Sequence, residues 1–93
     1  MKPISLQKLG EMLGATPQGD PQTVVSGISS LDICRPGTLV MVESQDQADA
    51  LSGTEVAAVL CKTGVETDKP GFCCDEPRIL FAGILEYFHP EPH

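Results

Sequence analysis

The residues able to do acid–base, nucleophilic or metal chemistry are few in this chain, and none stands in a catalytic spacing. His89 and His93 are its two histidines, and neither has a carboxylate placed to orient it as a general base. Ser29-Ser30 with Asp32 has no histidine in a nearby element, which argues against a nucleophilic triad. The glycines form neither a GxGxxG nor a Walker pattern, so no loop built to cradle phosphate is read. Glu43, Asp46, Asp49 and Glu55 can form an acidic surface that attracts a cation, but such a cluster reads first as a solvated face. Cys34, Cys61, Cys73 and Cys74 lack zinc-ligand spacing, and outside a secretory context they read as free, buried or half-buried thiols. Cys73 and Cys74 are adjacent, and in a strand they point to opposite faces. The expectation from these residues is a binding or accessory domain with no catalytic residue, metal or cofactor of its own.

Ninety-three residues (1–93) make a single domain with one small core. Thirteen acids against six bases give a net charge of −7, which opposes binding of nucleic acid or an anionic membrane through a broad basic face. Ile79 to Phe88, interrupted by Glu86, is too short to cross a bilayer, so no membrane insertion is expected. Pro3, Ser5, Gln7 and Lys8 break any apolar stretch at the amino end, which does not resemble a signal peptide, and a cytoplasmic location follows as the expectation.

The elements that would position a site are arranged around Ser26 to Val42, read as strand, loop and strand. Thr23–Ile28 and Thr38–Val42 are rich in β-branched residues. Between them Ser29, Ser30 and Asp32 can bond their own backbone, and Pro36-Gly37 sets a turn. Ser29 to Gly37 is too long for a tight hairpin and too short for a helical crossover. Leu31 and Ile33 are expected to plug it into the core. Before it, Ser5 caps a helix to Leu13 that ends at Gly14, and Ala15-Thr16 is read as the start of a strand. After it, a short helix spans about Gln45 to Leu51. Val56 to Cys61 is an apolar run typical of a strand buried on both faces. Phe72 to Cys74 is a further strand. Asp75 or Glu76 can cap a closing helix from Pro77 with Ile79, Leu80, Gly83, Ile84, Tyr87 and Phe88 as its apolar stripe, stopped at His89 by Pro90 and Pro92. The sum is a small α/β domain, a short sheet covered by helices.

Several of these pieces occur in the order of a known family. They are Ser5-Leu6-Gln7-Lys8-Leu9 with Leu13-Gly14-Ala15, Gly19-Asp20, Ser26-Gly27-Ile28-Ser29-Ser30-Leu31, Pro36-Gly37, Ala57-Ala58-Val59-Leu60, and Pro77 leading to Phe88-His89-Pro90. From Ile4 to Pro90 the chain resembles the amino-terminal domain of UDP-3-O-acylglucosamine N-acyltransferases of the lipid A pathway, and more distantly the amino-terminal domain of the Mur ligases. The resemblance implies binding of the uridine part of UDP-acylglucosamine, or of UDP. In the family a trimerising β-helix carrying the catalytic histidine follows this domain. Its hexapeptide repeats do not occur here, and the resemblance therefore implies a nucleotide-binding module without its own catalytic centre. The family pattern after Pro-Gly is an aromatic, an Asn and a Tyr, whose rings sandwich the uracil. The matching positions here are Met41, Ser44 and Gln47, the substrate-binding residues that the resemblance implies. Stacking on a base is worth roughly 1–3 kcal/mol per ring. Two readings stand side by side: a UDP-sugar-binding domain, and an interaction module that kept the fold and lost the nucleotide.

Overall fold

The structure is a computed structural model that describes residues 3–88; His89, Pro90, Pro92 and His93 lie outside the described residues. In chain order it runs β1 (Ile4–Ser5), α1 (Leu6–Leu13), β2 (Val24–Val25), β3 (Gly27–Ile28), β4 (Thr38–Val42), α2 (Gln45–Ala50), β5 (Ala58–Lys62), β6 (Gly71–Cys74) and α3 (Pro77–Phe88). β1 and β2 form a small antiparallel ribbon, while β3-β4-β5-β6 form a parallel sheet in sequential order. The α/β class read from the sequence is the one observed.

Strand alternation divides the core into two layers. Leu39, Ala58, Leu60 and Phe72 meet Leu6 and Leu9 of α1 and Ile84 and Phe88 of α3 on one face. Val40, Val42, Val59 and Cys61 face Ala48, Leu51 and Val56 on the other. β4 and β5 therefore bury side chains on both faces, as their continuous apolar runs require.

The helix ends are satisfied locally. Leu6 and Gln7 donate their N–H groups to the carbonyls of Thr23 (2.9 Å) and Pro21 (3.0 Å), and Lys8 donates to Ser5 Oγ at 3.3 Å. At the other end Gly14 takes φ 71° and its N–H returns to the Gly10 carbonyl, the left-handed cap that glycine adopts without a Cβ penalty. In α3 the buried residues are Pro77, Ile84 and Phe88, and Gly83 lets the Leu13 side chain approach where a Cβ would stand 2.8 Å from it. Ile79, placed in the stripe by sequence, is 70% exposed. It lies five residues from Ile84, about 140° round the helix.

The nine-residue crossover 29–37 is held by a closed ring of hydrogen bonds. Arg35 N–H donates to Ser29 Oγ (3.2 Å), and the Thr38 hydroxyl donates to the Arg35 carbonyl (2.6 Å). The 2.7 Å contact between the two hydroxyls must then run from Ser29 to Thr38. Thr38, a buried polar residue, is thus fully employed. The expected plugs separate. Leu31 packs with Cys34 against the α2-side core, whereas Ile33 is 58% exposed, because Cys34 at φ 48° turns the loop over.

Three further expectations are corrected. Thr23–Ile28 is not one strand: Val25 pairs antiparallel with Ile4 and Gly27 pairs parallel with Thr38, so Ser26 is the switch between sheets, its N–H and hydroxyl both on the Gly37 carbonyl. Ala15-Thr16 is not a strand; the pairing in that stretch is Gln18 with Gly71. The four cysteines are not all free. Cys61 and Cys73 are register partners across β5 and β6 with Cα atoms 4.7 Å apart, and they form a disulfide, leaving Cys34 and Cys74 as thiols. Cys73 and Cys74 do face opposite layers.

A Cβ at Gly71 would land on the Val59 carbonyl, and its φ of 154° is one that L side chains rarely adopt. Gly71→Ala is expected to destabilise the domain by at least about 3 kcal/mol, measured by denaturant unfolding. Thiol titration of the denatured, unreduced chain should find two groups, Cys34 and Cys74, and four after reduction.

Candidate functional site

In open parallel sheets, ligands sit against the carboxyl ends of the strands. Here that edge is made by Glu43 after β4, Lys62 ending β5, and Asp75 after β6, with α3 starting beside them. A cleft of about 170 Å³ lies there, lined by Glu43, Lys62, Asp75, Glu76, Pro77 and Arg78. Arg78 Nε bonds Glu43 Oε2 at 3.0 Å and its Nη2 reaches Oε1 at 3.4 Å, a two-pronged pair. With Arg78 78% exposed, that pair contributes at most about 1 kcal/mol and exchanges readily for another anion. Arg78 also occupies the first turn of α3, which holds no acidic residue itself, although Asp75 and Glu76 stand immediately before it. The edge therefore combines two cations and a helix start with three acids.

None of Met41, Ser44 and Gln47 lines this cleft, and the structure does not bring the three together on one face. Met41 is half-buried on β4 and packs with the layer covered by α1 and α3. Ser44 and Gln47 belong to α2, which covers the opposite layer through Ala48. Those two are in direct contact. Ser44 Oγ accepts the Gln47 N–H at 3.3 Å, and Gln47 Oε1 accepts the Glu43 N–H at 2.7 Å. The result is a reciprocal cap: two amides at the start of a short helix are satisfied by the two side chains. Gln45 is similarly engaged, its amide exchanging bonds of 2.7 and 2.8 Å with the Glu66 backbone.

Sequence reading did not single out Lys62 and Arg78 as candidate ligand contacts. The signal was present in weak form: Lys62 is the first charged residue after the apolar run, and Arg78 follows the helix-opening Pro77. Among the described residues no group of three or more His, Cys, Asp or Glu is placed to hold a metal ion. Nor is any described helix long and apolar enough to cross a membrane. Ser44→Ala should cost about 1 kcal/mol of stability by removing the cap, while Ser44→Asn should be nearly neutral; paired thermal denaturation checks this.

No family model matches the chain. Among curated proteins it is 32% identical over 94 residues to a UDP-3-O-acylglucosamine N-acyltransferase of Pseudomonas fluorescens (strain Pf0-1), an alignment covering 96% of this chain and 26% of that protein. The enzyme of the same name from Geobacter sp. (strain M21) is 32% identical over 89 residues, covering 95% of this chain and 26% of the relative. One from Legionella pneumophila (strain Paris) is 29% identical over 87 residues, covering 92% and 25%. The chain spans about a quarter of the length of the relatives it matches. Over nearly all of its own length, then, the chain is similar to one domain-sized portion of UDP-3-O-acylglucosamine N-acyltransferases, the family its ordered motifs resemble.

Proposed function

We propose that this chain is a UDP-sugar-binding domain of the N-acyltransferase type, holding the uridine part of its ligand at the carboxyl edge of the parallel sheet and carrying no catalytic centre of its own. The observation that carries this reading is the similarity to UDP-3-O-acylglucosamine N-acyltransferases across nearly the whole chain. The edge supplies matching chemistry. In this reading Met41 would offer a polarisable apolar surface to a base, Ser44 and Gln47 hydrogen-bonding groups, and Lys62 and Arg78, which line the nearby cleft, cations for a diphosphate. A diphosphate would displace Glu43 from Arg78, a weak pair to break.

A specific observation favours the second reading, an interaction module that has lost the nucleotide. Ser44 and Gln47 are engaged in starting α2, and none of the three implied residues has an aromatic ring. If the rings are what is missing, each restored ring adds about 1–3 kcal/mol of stacking, and each 1.4 kcal/mol is about tenfold in affinity.

Titration with UDP or UDP-N-acetylglucosamine, followed by amide resonances, should move residues 41–47 and 62 weakly in the native chain. Combining Met41→Phe, Ser44→Asn and Gln47→Tyr should tighten binding by at least tenfold. Asn keeps the helix cap, so only the Gln47 bond to Glu43 is lost, at about 1 kcal/mol of stability. A folded triple variant that still ignores UDP would favour the interaction module.

A further inference from the structure

A second concavity lies away from α2, between the carboxyl end of β3 and the later turns of α3. It measures about 380 Å³, within the range of small-molecule sites. β3 is an outer strand of the parallel sheet, so this side is open. The walls are Ile28 and Ile33 from the β3 end and Phe81 and Leu85 from α3. Ile33 and Leu85 remain 58% and 37% exposed. Isolated apolar side chains on a surface need no explanation, but four converging on one hollow do.

The polar part of the lining is equally selective. Among the described residues it holds Arg35, Ser29 and Ser30 and no acidic residue, although acids outnumber bases thirteen to six in the chain. Arg35 is exposed and makes no ion pair among the described residues. Its backbone is fixed, however, because its N–H and carbonyl both belong to the Ser29–Thr38 ring. The root of the Arg35 side chain is therefore fixed at the mouth of an apolar hollow, and among the described residues no carboxylate claims its guanidinium. Its planar fork matches a carboxylate.

We propose that this cleft binds a medium-chain acyl anion, with the carboxylate on Arg35 and the hydrocarbon between Ile28, Ile33, Phe81 and Leu85. The site is separate from the uridine edge and does not depend on that reading. Charge and apolar surface face the same ligand here, which distinguishes it from an oily patch awaiting another protein.

Octanoate titrated into the ¹⁵N-labelled chain should give saturable shifts at residues 28–35 and 81–85, leaving 44–47 and 62 unmoved. Acetate should not bind measurably, and octanol should bind at least tenfold more weakly than octanoate. Arg35→Gln, a change at an exposed side chain, should weaken octanoate about tenfold and leave octanol unchanged, whereas Arg35→Lys should retain part of the affinity. Leu85→Gln, on a different element, should weaken both ligands. Equal binding of octanol and octanoate to the native chain, or an Arg35→Gln variant that binds octanoate normally, would overturn the proposal. So would shifts of the same amides on protein dilution with sedimentation showing a dimer, since a second copy would then be the occupant.

Discussion

Parallel strands cannot be joined by tight turns, and this small domain is shaped by how it meets that constraint. A parallel connection ordinarily takes a dozen residues or more, commonly with a helix. Of the three crossovers in the sheet, only that between β4 and β5 contains a helix, α2. The other two, residues 29–37 and 63–70, are short irregular segments, and side-chain hydrogen bonds stand in for helical ones. The Ser29, Thr38 and Arg35 ring closes the first. The second is clamped at one point by the Gln45 amide on Glu66, and at another by Lys69 Nζ on the carbonyls of Thr54 (3.0 Å) and Val56 (3.4 Å). Both clefts discussed above are consequences, because each lies where such a segment leaves the sheet or where α3 begins beside it.

The parts legible from sequence are those in which a local pattern and the tertiary contact agree. α1 starts at its Ser5 cap and ends at Gly14 because capping chemistry is local, and α3 spans Pro77 to Phe88 because a 3.6-residue stripe is. β4 and β5 were visible as apolar runs because a doubly buried strand has no polar face to show. What escaped depends on partners far away in sequence. Nothing in Thr23–Ile28 reveals that Ser26 changes sheets, since Ile4 and Thr38 decide it. The Cys61–Cys73 bond depends on the register of β5 against β6, which no spacing rule supplies. Ile33 turned outward because a left-handed Cys34 followed it, an unusual conformation for a residue with a Cβ.

The site shows the same division. Position in the chain puts Met41 near the end of β4 and Ser44 and Gln47 at the start of α2, yet it cannot say what their side chains hold. Serine and glutamine three apart at a helix start are a capping pair by chemistry, whatever else the fold inherits. A binding role for them therefore has to coexist with a structural one. Among the described residues the Lys62 side chain makes no ion pair, and that of Arg78 makes only the exposed one with Glu43.

Sequential order in the sheet also bears on how the chain acquires its structure. Within the parallel sheet neighbouring strands are consecutive in sequence, and the Gln18–Gly71 bridge is a long-range addition at its edge. Parallel sheets are ordinarily slow to form because distant segments must find one another before any contact rewards the search. Here the closures between successive parallel strands span short stretches, and the cost of closing a loop grows only with the logarithm of its length. The sheet can zip from β3 towards β6, each added strand templated by its predecessor. The covalent tie between the last two strands then limits fraying at the far edge.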